Sequence, residues 1–91
     1  MYITKTTRQF DKDFKLCIKR GCDPTLFQEV ITVLSQTGKL PIKYRPHKLS
    51  GKYANLWECH ITSDWLLLWE QNDIELILLL TNTGTHSDLF K

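Results

Sequence analysis

The sequence has no apolar run long enough to cross a bilayer: its longest aliphatic stretch, Ile74 to Leu80, already contains Glu75, whereas a membrane helix needs roughly 18 or more consecutive apolar residues. No membrane association is expected. The first residues, Met1-Tyr2-Ile3-Thr4-Lys5, lack the apolar core and small-residue cleavage site of a secretory signal, so the expected location is the cytoplasm. Cysteine is sparse and odd in number, at Cys17, Cys22 and Cys59, which fits neither a disulfide framework nor the paired spacing of a zinc site. Cys59 and His60 are adjacent, but neighbours on a strand point to opposite faces and cannot easily share one ion. No metal and no cofactor is expected. Acidic residues are missing between Lys39 and Trp57, the stretch that holds Lys39, Lys43, Arg45, Lys48 and Lys52. That bias suits either a polyanion-binding surface, because a cation beside a phosphate releases condensed counterions, or a solvated loop. From Glu58 onward the balance reverses, so the net charge of +2 conceals two halves of opposite sign.

What is present is 91 residues with 42% hydrophobic side chains, enough for one packed domain over 1–91 and too little for two. Tyr2 to Thr4 reads as a brief strand. Thr6 with Gln9 three residues on fits a capping box, after which Phe10, Phe14, Cys17 and Ile18 recur on one helical face and Gly21 supplies the stop. Asp23-Pro24 restarts a helix with a side-chain cap and a proline where no amide is needed. Phe27, Val30, Ile31 and Leu34 form its apolar face, Gly38 ends it, and the short link makes the two helices an antiparallel hairpin. Pro41, Pro46 and Ser50-Gly51 then break any period, predicting an irregular loop.

Alternation resumes at Leu56: Trp57, Cys59 and Ile61 face a core while Glu58 and His60 project from the other side. Thr62-Ser63-Asp64 turns the chain, Trp65 to Trp69 reads as a strand covered on both faces, and Gln71-Asn72-Asp73 leads into a third strand from Ile74 to Thr81. The expected architecture is α+β, in the order β-α-α-β-β-β, with the helical hairpin on one face of an antiparallel meander and the other face open for binding.

Three histidines fall where that open face can gather them: His47 in the basic loop, His60 on the first meander strand, and His86 in the turn Thr83-Gly84-Thr85-His86 after the last. Asp64, across the hairpin turn from His60, is positioned to orient its imidazole. Imidazoles, a carboxylate and basic surroundings suit metal-free cleavage of a phosphodiester by its own 2′-hydroxyl. A base takes that proton, an acid protonates the leaving 5′-oxygen, and cations hold the phosphorane. Trp65 and Phe90 offer rings on which bases stack, or else belong to the core.

The segments Pro46-His47-Lys48-Leu49-Ser50-Gly51, Trp57-Glu58-Cys59-His60-Ile61-Thr62-Ser63-Asp64-Trp65 and Thr83-Gly84-Thr85-His86-Ser87-Asp88-Leu89-Phe90 resemble, in order, the motif blocks of YafQ-type toxins in the RelE/ParE superfamily. The resemblance implies a ribosome-dependent endoribonuclease that cuts mRNA in the ribosomal A site and is held inactive by a cognate antitoxin. It implies His47 as a candidate general base and His86 as the general acid or the leading acid/base residue, with His60 and Asp64 orienting and stabilising the reacting phosphate. Lys48, Lys52, Trp65, Asn82 and Phe90 would hold the RNA. Asn82 departs from the pattern, standing where related toxins often carry an arginine, so the compensating charge would come from Lys48 or Lys52. Two other readings of the scaffold stay open at this point: a non-catalytic ParE-like inhibitor of a protein target such as gyrase, and a degenerate toxin that retains antitoxin binding only.

Overall fold

A computed structural model describes residues 1–90. Helix α1 (Arg8–Lys19) starts because the Thr7 hydroxyl oxygen accepts the Phe10 amide at 3.0 Å, satisfying a donor that has no partner inside the helix. The cap thus falls one residue later than the expected Thr6. Thr6 is the last residue of strand β1 (Ile3–Thr6), paired with Leu80, and Gln9 donates to Asp13 at 2.7 Å instead of reaching back. Helix α2 (Pro24–Thr37) starts as expected: Asp23 accepts the Thr25 amide at 2.9 Å, and Gly38 closes the helix at φ 75°.

Four more strands complete a sheet: β2 (His47–Lys48), β3 (Trp57–Thr62), β4 (Trp65–Asn72) and β5 (Ile77–Gly84), in the order β1-β5-β4-β3-β2. Only β1 and β5 are parallel. The central position of β4 explains its lack of alternation, since every residue from Trp65 to Trp69 is buried. The last long strand begins later than expected, at Ile77 rather than Ile74. Asn72 accepts the amides of Ile74 and Glu75 through its side-chain oxygen, at 3.0 and 2.9 Å, which holds a turn and leaves Ile74 95% exposed. The basic loop is more ordered than its sequence suggests, with two 3-10 turns (Ile42–Tyr44 and Gly51–Tyr53) flanking β2.

One face of the sheet presents Cys59, Ile61, Trp65, Leu67, Trp69, Leu78 and Leu80 to Phe10, Cys17, Val30, Ile31 and Leu34 of the helices, forming the core. Each such large side chain contributes about 1.5–3 kcal/mol by leaving water. Ile18, expected on that face, lies near the end of α1 and is 37% exposed. Leu66 and Leu68 point to the opposite face yet are each 2% exposed, so that face is not the open concavity the pattern suggests. Tyr53 and Phe90 meet edge-on at 5.3 Å, joining the β2–β3 connection to the tail that follows β5. The tail itself is a short helix α3 (His86–Leu89). No helix of the described residues is long and apolar enough to cross a membrane.

Candidate active site

Two rows of paired residues run across the face away from α1 and α2. His47 of β2 is opposite Glu58 of β3, Glu58 opposite Leu68 of β4, and Leu68 opposite Asn82 of β5. In the next row on that side, His60 pairs with Leu66 and Leu66 with Gly84. Partners across a sheet share a face, so His47, Glu58, His60 and Asn82 lie on one surface, and His86 opens α3 two residues beyond Gly84. The register puts His47 and His60 on this face, while His86 lies beyond the paired strands in α3.

The centre of the group is Glu58, which the alternating pattern placed on this side without assigning it a role. It is only 6% exposed. Its Oε1 lies 3.1 Å from Nε2 of His47 and 3.9 Å from Nε2 of His60, within ion-pair distance of either ring in its protonated form. The other nitrogen of His47, Nδ1, is 2.9 Å from the carbonyl oxygen of Arg45. A carbonyl only accepts, so Nδ1 carries a hydrogen. Nε2, the other ring nitrogen, faces Oε1 of Glu58 at 3.1 Å. An accessible imidazole held beside a carboxylate suits acid–base chemistry.

The tail is fixed by a second carboxylate. Asp88 Oδ2 accepts the Thr85 amide at 2.9 Å and the Arg20 guanidinium at 2.6 Å, while the Thr85 hydroxyl accepts the Asp88 amide at 3.1 Å. This is a reciprocal cap on α3. The Thr85 amide, followed by Arg20, holds the Asp88 carboxyl below the usual aspartate range. The Thr-x-x-Asp spacing was present in the sequence and is the signal that would have found it. Past the cap, the His86 and Phe90 rings lie 5.0 Å apart, and Lys52 stands 5.3 Å from the centre of the Tyr53 ring that meets Phe90. Lys52, Tyr53, Phe90 and His86 thus form a connected chain of contacts.

Three expected site residues lie elsewhere. Asp64 sits exposed in the β3–β4 turn, and no hydrogen bond or ion pair joins it to His60; the carboxylate beside that ring is Glu58. Trp65 is not an exposed stacking platform, being 3% exposed in the core next to Phe14, with its indole N–H donated to Thr83 at 2.8 Å. Lys48 pairs with Trp57 in the row that faces the helices, and its charge acts on Asp73. A single step along β2 turns Lys48 away from His47.

Cys59 and Cys17 are poor nucleophiles, because burial pushes the Cys59 thiol up to about 12 and the Cys17 thiol up to about 11, and a nucleophilic cysteine must ionise. Among the described residues no three His, Cys, Asp or Glu side chains are grouped so as to hold a metal ion.

Comparison with known proteins gives one answer at every level. The chain is 35% identical over 83 residues to the mRNA interferase toxin YafQ of Escherichia coli, covering 90% of this chain and 88% of that protein. The crystal structure of Escherichia coli YafQ superposes with a TM-score of 0.90 at 30% identity over the whole of both chains. The toxin in the Escherichia coli DinJ–YafQ toxin–antitoxin complex matches at 0.87 and 32% identity, over 99% of this chain and 98% of that one. A metal-bound toxin from Helicobacter pylori matches at 0.89 and 37%, over 99% of this chain and all of that one. The family model for YafQ, bacterial toxin of type II toxin–antitoxin systems, matches residues 2–91, and the chain belongs to that family.

Proposed function

We propose that this protein is an endoribonuclease that cleaves messenger RNA on the ribosome, in the cytoplasm, by attack of the 2′-hydroxyl on the adjacent phosphate, and that a cognate antitoxin neutralises it. The observation that carries this reading is the His47–Glu58–His60 cluster on the sheet face, with His86 at the end of the next row, in a chain of the YafQ family. Nδ1 of His47 faces the Arg45 carbonyl, so in the neutral ring Nε2 is the nitrogen that takes the 2′-hydroxyl proton, and the Glu58 carboxylate 3.1 Å away stabilises the ring once it is protonated. His86 donates a proton to the departing 5′-oxygen. His60, held near the same carboxylate, faces the phosphate and stabilises charge developing on it. Lys52 adds a cation, and Phe90 and Tyr53 supply ring surface for a base. Positioned proton transfer of this kind contributes roughly 10² to 10⁴-fold for each group.

Purified protein incubated with ribosomes translating a defined messenger provides the test. Wild type should cut the message, and His86→Ala should reduce cutting by roughly a hundredfold or more. Equal cleavage by the two proteins would refute the mechanism.

A further inference from the structure

Strand β2 pairs with β3 only at Trp57 and Glu58, so beyond those residues the outer edge of β3 has no strand beside it. A groove of about 470 Å³ runs there, walled by Glu29 of α2 and by Lys43, Tyr44 and Arg45, and floored by the stretch that begins at His60 and Ile61. Of the histidine cluster, His60 alone lines it. Its volume is that of a site for a small organic ligand, enough for one nucleotide of a single strand.

The wall carries two cations, Lys43 and Arg45, against one carboxylate, Glu29. The Lys43 ammonium stands 5.0 Å from the centre of the Tyr44 ring, a cation–π geometry that restrains a side chain otherwise free to sweep. Arg45 has φ 50°, and only one other non-glycine residue among those described, Leu76, is left-handed. Such a conformation is strained for a side chain with a Cβ and persists where the surroundings impose it. At Arg45 it directs the carbonyl to Nδ1 of His47 at 2.9 Å. One residue thus contacts His47 through its backbone carbonyl and also lines the groove that His60 lines.

We infer that this groove is a subsite for the messenger strand next to the cleaved bond, with Arg45 and Lys43 neutralising a flanking phosphate and Ile61 and Tyr44 giving its nucleoside an apolar wall. The inference rests on the ribonuclease reading above. It also provides cationic charge beside His60 where Asn82 is neutral and Lys48 is turned away.

The variant that isolates the side chain is Arg45→Gly, since glycine keeps the left-handed backbone, and with it the His47 contact, while removing the guanidinium. Binding of a short single-stranded RNA with every 2′-hydroxyl methylated, and so not cleavable, is measured by fluorescence anisotropy across a salt series. The Arg45→Gly/Lys43→Ala protein should bind at least about fivefold more weakly, and its log K against log salt slope should shrink by about 0.7 for each cation lost. On ribosomes, Arg45→Gly should raise KM and leave kcat within about twofold. Unchanged affinity and slope, with the wild type still cleaving messenger, would overturn the subsite alone. Arg45-dependent RNA binding by a wild type that cuts nothing would support the subsite and refute the ribonuclease reading. Unchanged oligonucleotide binding with weakened binding to messenger-free ribosomes would assign the groove to ribosomal RNA, and weakened binding to the antitoxin alone would assign it to protein. Either result overturns the inference.

Discussion

At the scale of single residues, Glu58 carries the most weight. It is 6% exposed and stands between two imidazole nitrogens at 3.1 and 3.9 Å, and a buried carboxylate is costly unless it is paired and hydrogen-bonded. Glu58→Gln keeps the volume and removes the charge that stabilises a protonated His47. The variant should fold, with circular dichroism like wild type, and cleave messenger roughly 10 to 100-fold more slowly, comparable to the loss of an outer residue that orients a functional histidine. Unimpaired cleavage by Glu58→Gln would remove Glu58 from the mechanism. The sequence offered this residue as one outward position on an alternating strand, and alternation gives facing, not depth. Its depth comes from β2, which pairs for only two residues and leaves no periodic trace in a segment broken by two prolines. Trp65 shows the converse: an aromatic next to a motif histidine is as readily a core residue when its strand lies at the centre of the sheet.

At the scale of elements, α3 has four residues, far too few to persist alone, and its order comes from Asp88. That carboxyl lies below the ordinary aspartate range because the Thr85 amide and then Arg20 favour its charged form. A carboxyl lowered on folding adds stability at pH values above its unfolded pKa and loses it as pH falls through the lower, folded value. Asp88→Asn should therefore weaken the tail at neutral pH and remove one contribution to the acid limb of the stability curve, so that wild type and variant converge in strong acid. Denaturant melts across pH check this, and a stability difference that persists in strong acid would show that charge is not the cause. Because Asp88 lies behind His86, the same variant should lose cleavage at neutral pH beyond any loss of folded protein. Gly84 limits the same joint, since a Cβ there would lie 2.8 Å from the Asp88 carboxylate. Helix starts, the helical hairpin and the central strand were legible in the sequence because caps and periods are local. The later start of β5 and the Thr7 cap of α1 were not, because the first depends on a side-chain turn at Asn72 that carries no period and the second on a strand pairing with Leu80 that takes up Thr6.

At the scale of the whole molecule, β1 joins β5 in parallel across more than seventy residues of chain, and the lock on that closure is a polar cluster at the end of the sheet. The Tyr2 hydroxyl donates to Asp73, and the Tyr2 amide donates to the Ser35 carbonyl at 2.7 Å. Gln71 donates to the Gly38 carbonyl and to Asp73, each at 2.9 Å, and accepts the Trp69 indole N–H at 2.9 Å. The amino-terminal strand, the end of α2 and the β4–β5 turn thus meet at Gly38. That glycine has φ 75°, and a Cβ there would lie 2.5 Å from the Tyr2 hydroxyl and 2.7 Å from the Gln71 amide nitrogen. Gly38→Ala is opposed twice, by the left-handed backbone and by side chains bonded to one another, so neither can move aside without breaking the cluster. A loss of about 2 kcal/mol is expected, and since a domain of this size shifts by roughly 4–8 °C per kcal/mol, calorimetry should show Tm lowered by about 8–16 °C. The histidine rows occupy the other face of the sheet, so cleavage per folded molecule, measured well below that Tm, should match wild type. A Tm within a degree or so of wild type would mean that the cluster yields freely and that β1 is held by its strand pairing alone.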